Sequence, residues 1–242
     1  RFPKLLSGRL LRFKGYERIA AAVYAELIMS LRVHNGKLGK SSCGIEMNPY
    51  AVWKRIVEDP AKIQVHDINP VKELKEAEAV TYAGTGGRSK RAMTRTTRMY
   101  DRDDMGAISE STTDSSDVGI NIHMSANPTM VNLRGICRPF DFEKDGPGAL
   151  LSTSALLSPS SDRDDAKRVN FVAVQQEHRV ACSGYHRSSI RTGADEVIAH
   201  RTSPLFCKTA KKQGRVRSIT PTGILIDYVD GTSEGFELGE RY

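Results

Sequence analysis

The feature that most limits the possible folds is a long stretch without regular hydrophobic spacing, residues 83–117. It is rich in glycine, threonine, serine and aspartate, with charges dispersed along it. It keeps neither the 3.6-residue period of an amphipathic helix nor the alternation of a half-buried strand. We therefore expect a system of long loops here, ordered either by the rest of the chain or by a partner.

Helices are predicted on the N-terminal side of this stretch. Residues 17–32 are rich in helix formers and carry apolar residues at helical spacing. Asn48 and Asn69 are each followed by proline, the typical pairing of an N-cap with proline at the first helical position. Two further helices are thus expected, one ending near residue 58 and one near residue 79. Trp53 and Ile56 of the first are expected in the core.

Strands are predicted on the C-terminal side. Residues 118–124 alternate enough for a strand, and the last thirty residues form three short β-like runs separated by glycine-containing turns. The predicted fold class is α+β, with a helical N-terminal part, long ordered loops and a β-rich C-terminal part. The aromatic content of 7% is low for a self-sufficient core.

Two classes of protein are disfavoured by the composition. The four cysteines lie far apart and form no C-x-x-C pair, which argues against a zinc site or a disulfide framework. The longest apolar run, Ile19 to Met29, is interrupted by Glu26 and is too short to span a bilayer.

Positive charge is concentrated in one place. The 242 residues carry a net charge of only +7, but six basic side chains fall between Arg88 and Arg102, directly after a glycine-rich turn, with one acid among them. A phosphate-cradling P-loop would need the spacing G-x-x-x-x-G-K-S/T, which GTGGRSK lacks. A solvated basic surface and a clamp on nucleic-acid phosphates both fit, and composition alone leaves these two level.

Five motifs stand in a recognisable order. The first is DINPVKEL, at the place of N-P-L-S-E-I, and the second is AGTGG, at the place of L-G-P-G-G-L-S/T-R. The third is DDMGAISESTTDSSDVGI, at the place of E-T-P-E-G-P-N-I-G-L. The fourth, DDAKRVNFVAVQQEHRVA, is similar to D-D-A-N-R-A-L-M-G-x-N-M-Q-R-Q-A-V. RTGADEVIAHRTSP follows at the place of V-G-T-G-x-E. This order resembles the fork region of the β subunit of multisubunit DNA-directed RNA polymerases. The heavy divergence is similar to that of the split β subunits of giant bacteriophages.

The resemblance implies a role in nucleotidyl transfer, in which the RNA 3′ hydroxyl attacks the α-phosphate of a nucleoside triphosphate with the help of two Mg²⁺ ions. The family's metal-binding aspartates, in N-A-D-F-D-G-D, belong to the β′ subunit, and that motif is absent here. The chain is thus expected to line the active-site cleft and hold the RNA–DNA hybrid and the nucleotide. It would be active only within the multisubunit complex.

The resemblance also assigns roles to single residues. Arg168 stands at the arginine of D-D-A-N-R, which points toward the nucleotide phosphates, and a guanidinium can bind two phosphate oxygens at once. The alternative for Arg168 is an ion pair with Asp164 or Asp165. The expected RNA- or hybrid-binding residues are Lys90, Arg88, Arg91, Gln176 and His178, and the expected loop-organising acids are Asp114 and Asp117. The roles of Arg95, Arg98 and Arg102, which could track DNA or face solvent, stay open.

The implied partners are β′-like subunits, other β fragments, the DNA template, the RNA transcript and nucleoside triphosphates, with no membrane. The β′-like partner would hold the Mg²⁺. The implied location is the cytoplasm of a bacterial host, with a virion or a phage nucleus-like compartment as alternatives. The expected division is a helical segment (1–75), fork loops with the basic region (76–125), a variable connector (126–162) and a nucleotide- and RNA-facing segment with a small β-rich region (163–242).

Two other functions compete with this reading. A stand-alone basic nucleic-acid-binding protein without enzymatic activity would use the same basic segment. A nucleotide-binding enzyme built on the glycine-rich turn is the weaker option.

Overall fold

The computed structural model describes residues 17–37, 44–59, 62, 68–84, 87–132, 136–180, 182 and 188–238. Its N-terminal part is a helical pair, α1 (Glu17–Lys37) and α2 (Pro49–Val57), which pack against each other. The Asn48 side chain accepts a hydrogen bond from the Tyr50 backbone N–H at 3.0 Å, and the cap with the following proline explains why α2 begins there.

A central unit combines a helix with a three-stranded sheet. Helix α3 (Pro70–Glu78) runs directly into β1 (Ala79–Thr81), and the chain then forms the short helix α4 (Arg95–Arg98) before β2 (Ile108–Thr112) and β3 (Asn121–Met124). The sheet is antiparallel with the order β1–β3–β2. Its core consists of Ala107, Ile108 and Ile122, with Val80, Tyr82, Met124 and Cys137 packed around them.

Three more helices cover this unit: α5 (Thr153–Leu157), α6 (Ala166–Glu177) and α7 (Ala194–Ala199). Helix α6 packs against β2, α3 and α5, and α5 also packs against α7. Val169 and Ala173 bury the inner face of α6. Helices α3 and α6, although about a hundred residues apart in sequence, thus share one small core.

The C-terminal part is a separate antiparallel sheet of β4 (Gly214–Thr220), β5 (Gly223–Tyr228) and β6 (Ser233–Glu237), in that order. Val216 pairs with Ile226, and a bulge follows before Ser218. Ion pairs from Lys211 to Glu234 and from Lys212 to Asp230 connect the segment before β4 to the β5–β6 region.

The predicted fold class is confirmed: the N-terminal part is helical, the C-terminal part is β-rich, and both sheets are antiparallel. The three predicted helices are present, and α1 extends five residues farther than expected. The predicted strand at 118–124 is confirmed over Asn121–Met124. The division of the chain into four parts stays a prediction.

Two expectations are wrong. Residues Ile108–Thr112, assigned to loop, form β2, in which small polar side chains replace the hydrophobic alternation. Ser109 Oγ donates to the His123 carbonyl oxygen at 3.0 Å and Thr112 Oγ1 to that of Asn121 at 2.8 Å. Trp53 and Ile56 are both assigned to the core, but α2 has no buried residue. Trp53 is 62% exposed and Ile56 is half-buried, because α1 covers only part of α2.

Candidate nucleic-acid interface

The glycine-rich turn is closed by its own backbone. The Gly87 N–H donates to the Gly84 carbonyl oxygen at 2.7 Å, and the Arg88 N–H donates to that of Tyr82 at 2.9 Å. A Cβ on Gly87 would stand 2.2 Å from the Tyr82 oxygen, so the position requires glycine for close packing. The turn leads into a three-residue 3-10 helix at Lys90–Ala92, and not into the α-helix that a P-loop needs.

Beyond the turn lie the basic arm, residues 88–102, and the acidic loop, residues 113–120. Lys90 of the arm and Asp117 of the loop form an ion pair, with Nζ 2.9 and 2.8 Å from the two carboxylate oxygens. The Lys90 side chain is 58% exposed and that of Asp117 only 22%. The ammonium group therefore lies at the surface, held by a carboxylate that its loop fixes in place.

A second contact joins the arm to the acidic loop. Arg98 donates from its guanidinium to the Ser116 carbonyl oxygen at 3.1 Å and to that of Met93 at 3.4 Å. Gly119 lies directly against the Arg98 backbone, with φ at +70°. The open role of Arg98 thus has a structural answer, since it ties the two segments together.

The remaining basic side chains of the arm differ in exposure. Arg91, Arg95 and Arg102 are exposed, as is Asp114 of the acidic loop, whereas Arg88 is half-buried. Arg88 borders a small recess that is otherwise lined by Tyr82, Met93, Thr97, Met99, Asp101 and Asp104. Exposed cations on one arm give the surface a positive potential that attracts polyanions.

Arg168 lies on the outer face of α6, near its beginning. Asp165 caps the helix by accepting from the Lys167 N–H at 3.4 Å. The Arg168 side chain is 77% exposed, and its guanidinium is 3.9 Å from the Asp164 carboxylate. An exposed pair at that separation contributes little. The guanidinium is accessible to a phosphate, with Asp164 as an acidic neighbour.

The two residues at the end of α6 are placed differently. Gln176 is buried, and its amide donates to the Ser158 hydroxyl at 3.0 Å. His178, just past the helix, is exposed. The burial of Gln176 does not favour its predicted RNA contact, whereas His178 is accessible; both assignments stay predictions. A contact from the Thr112 N–H to the Asn170 side chain, at 3.4 Å, sets α6 beside the start of the acidic loop.

Two residues make long-range contacts, missed by sequence reasoning, that hold α3 and α6 together. The Asn69 side chain caps α3 by accepting from Val71 and Lys72, and its amide donates to the Gln176 and Arg179 carbonyl oxygens at 2.7 and 2.9 Å. Lys75 lies 2.5 Å from Glu177 with its side chain only 5% exposed. The Asn-Pro signal identified the cap, but no sequence signal indicated the long-range bonds.

The interior beneath these helices contains titratable groups. Burial, followed by the nearby charge of Lys75, lowers the pKa of His123 to about 4. Burial raises the pKa of Glu78, although the Thr153 hydroxyl donates to its carboxylate at 2.7 Å. The His123 ring is therefore neutral at physiological pH, in contact with the Ser111 carbonyl oxygen at 3.4 Å.

We expect His123 to make the chain lose stability in mild acid. The unfolded state takes up a proton below pH 6.5, whereas the folded ring stays neutral until about pH 4, so stability falls as pH falls through this window. Between pH 7 and 5 the loss should be about 2 kcal/mol. Urea unfolding of the wild type and of His123→Asn between pH 7 and 5 measures this loss. The raised pKa of Glu78 changes stability in the opposite direction, but it does so in both proteins, so the difference between their unfolding free energies isolates the contribution of His123. Parallel pH curves for the two proteins would contradict the assignment.

Two negative findings apply to the ranges given above for the described residues. Within them, no group of three or more histidine, cysteine, aspartate or glutamate side chains is arranged to hold a metal ion. Within the same ranges, no helix combines the length and the apolar character needed to traverse a membrane.

A comparison with known families matches part of the chain. Residues 3–90 match the family model described as bacteriophage RNA polymerase. Over this segment the chain is similar to bacteriophage RNA polymerase. The match covers about a third of the 242 residues, and no curated protein matches the sequence. The relation supports a role in transcription, with nucleotidyl transfer of the RNA polymerase kind.

The part matched to bacteriophage RNA polymerase includes α1, α2, α3 and β1 and ends at Lys90, inside the basic arm. The bacteriophage and RNA polymerase parts of the sequence resemblance are thereby supported. The assignment to a β subunit of the multisubunit type, and the roles of the individual site residues, stay predictions.

Proposed function

We propose that this chain is part of a β-like subunit of a bacteriophage DNA-directed RNA polymerase. In this role it lines the active-site cleft and holds the RNA–DNA hybrid and the incoming nucleotide. It acts only when assembled with β′-like chains and other β fragments, in the cytoplasm of the infected host.

The proposal rests on one observation: residues after the matched segment complete the sheet and the core to which that segment contributes. Strand β1, inside the match, has β3 as its antiparallel neighbour, with Val80 opposite Ile122. Asn69 and Lys75, also inside the match, contact α6. A polymerase-related segment that shares its sheet and core with residues 120–179 supports one functional unit for both.

The basic arm and α6 supply the proposed nucleic-acid contacts. Lys90, Arg91 and Arg95 would neutralise backbone phosphates, because exposed lysine and arginine release counterions when they bind a polyanion. Arg168 would bind the nucleotide phosphates through two guanidinium N–H groups. His178 would contact the RNA. Asp117 of the acidic loop forms an ion pair with Lys90.

Exposed apolar residues support an assembled state. Large apolar side chains lie open on both N-terminal helices, with Ile19 and Tyr24 on α1 and Tyr50 and Trp53 on α2. In the proposed complex these side chains would be covered by a partner chain. The Mg²⁺ ions, in this proposal, are held by the β′-like partner.

The test is reconstitution of the complex. An affinity-tagged chain purified from infected cells should bring down polypeptides that carry D-F-D-G-D, identified by mass spectrometry. The complex should make RNA on a DNA template with Mg²⁺, and a complex assembled without this chain should not. Recovery of the chain without such polypeptides, together with stable binding to single strands, would favour the stand-alone binding protein.

Arg168→Ala in the assembled enzyme should raise the nucleotide KM about tenfold, because the guanidinium contact to phosphate is lost while template binding is unaffected. The matched control is Arg163→Ala, which removes another exposed arginine, one that lies five residues earlier and has a side chain that is 86% exposed. Elongation assays at varied nucleotide concentration separate the two variants. An unchanged KM for Arg168→Ala would remove the assignment.

A further inference from the structure

Resting on the proposed function, we propose that Asp117 competes with nucleic-acid phosphates for Lys90 and thereby sets how tightly the basic arm binds. The carboxylate occupies the same ammonium group that a phosphate oxygen would take. This differs from an organising role, because a competitor weakens binding whereas an organiser strengthens it.

The geometry allows such an exchange. Both carboxylate oxygens of Asp117 contact Lys90 Nζ, at 2.9 and 2.8 Å. The positive charge of the ammonium group is therefore neutralised within the chain when no ligand is bound. The Lys90 side chain is 58% exposed, so an incoming phosphate can approach it from solvent. Asp117 is 22% exposed and lies within a loop tied to the arm by Arg98, so the carboxylate stays close after it is displaced.

The ion pair between Lys90 and Asp117 is weak enough for a phosphate to displace the carboxylate. Exposed lysine–carboxylate pairs contribute little in water, and a polyanion that contacts several cations together can displace one of them. Asp117 should therefore reduce affinity by a small factor, about two- to fivefold. A single isolated phosphate, which lacks the additional contacts, would displace it less readily.

An asparagine at position 117 preserves the acidic loop. The Asp117 backbone oxygen accepts from the Ile120 and Asn121 N–H groups at 2.9 and 3.0 Å, and these bonds do not involve the carboxylate. Asp117→Asn thus removes the competing charge while the turn remains. The matched control is Asp114→Asn, which makes the same charge change at an exposed position of the same loop.

The experiment measures binding of a fluorescein-labelled RNA–DNA hybrid, by fluorescence anisotropy, to the reconstituted complex that contains the full chain. The wild type, Asp117→Asn, Asp114→Asn, Lys90→Ala and the Lys90→Ala/Asp117→Asn double variant are compared. Asp117→Asn should bind two- to fivefold more tightly than wild type at low salt, and more tightly than Asp114→Asn. Its advantage should shrink between about 50 and 200 mM salt, where screening weakens the ion pair.

The double variant decides between a specific and a general effect. If Asp117 acts through Lys90, replacing it in the Lys90→Ala background should give no gain beyond that of Asp114→Asn. Weaker binding by Asp117→Asn would overturn the inference in favour of an organising role. If Asp117→Asn raised the affinity equally with and without Lys90, the effect would come from net charge alone and the inference would also be overturned. Absence of hybrid binding by every variant would overturn the proposed hybrid contact and this inference with it.

Discussion

Replacing Lys75 with methionine should destabilise the chain by about 3 kcal/mol, because the Glu177 carboxylate would lose its counter-ion in a largely buried position. The two charged groups are 2.5 Å apart, with the Lys75 side chain 5% and that of Glu177 23% exposed. Partial solvent access to Glu177 keeps the loss at the lower end of the range for broken buried pairs. The midpoint of urea unfolding, followed by circular dichroism, measures the change.

Lys54→Met provides the matched control. Lys54 lies 3.9 Å from Glu58 on α2, but both side chains are well exposed, so its removal should cost less than about 0.5 kcal/mol. A Lys75→Met/Glu177→Leu double variant should recover most of the loss, because no buried charge remains. A second signal comes from His123, whose pKa should rise when the Lys75 charge is removed. Equal losses for Lys75→Met and Lys54→Met would contradict the buried pair.

Local signals predicted the three N-terminal helices and the C-terminal strands correctly. Asn48 and Asn69, each followed by proline, mark helix starts through a cap that depends only on the next three residues. Residues 214–237 follow a local alternation between glycine-containing turns and form the expected three strands. Such features could be predicted because the physical cause lies within a few residues of its effect.

Strand β2 and the exposure of Trp53 could not be predicted in this way. β2 is held by hydrogen bonds from serine and threonine to backbone groups, as when Thr112 Oγ donates to the Asn121 carbonyl oxygen at 2.8 Å. Its burial depends on α6, which lies more than fifty residues farther on. The exposure of Trp53 depends on which element packs against α2. A helical pattern identifies an apolar face, but it does not say which element covers that face.

The same distinction between local and long-range causes applies to the candidate site. The concentration of charge on the basic arm is a property of composition, and Arg91 and Arg95 are exposed as expected for a surface that binds phosphates. The ion pair between Lys90 and Asp117 joins residues 27 positions apart, and nothing in their local sequence specifies it. Gln176 is buried because α6 turns that side toward Ser158, which a motif resemblance does not reveal.

Gly119→Ala should also cost about 3 kcal/mol, through the contact between the acidic loop and the basic arm. A left-handed φ of +70° costs an L-residue roughly 1–2 kcal/mol by itself. In addition, the new Cβ would stand 2.5 Å from the Arg98 carbonyl oxygen, a backbone atom that can move only if the arm moves. We expect faster hydrogen exchange at 94–99 and 113–120 together with a lower urea midpoint.

Two other glycines separate the components of this cost. Gly193 has φ at +80° but nothing within 4 Å of its Cβ position, so Gly193→Ala should show the backbone strain alone. Gly146 has φ at −79° and equally open surroundings, so Gly146→Ala should be nearly neutral. The excess of Gly119→Ala over Gly193→Ala then measures the packing of the acidic loop on Arg98. Equal losses at positions 119 and 193 would mean that the two segments do not touch in solution, and the ion pair between Lys90 and Asp117 would lose its structural basis.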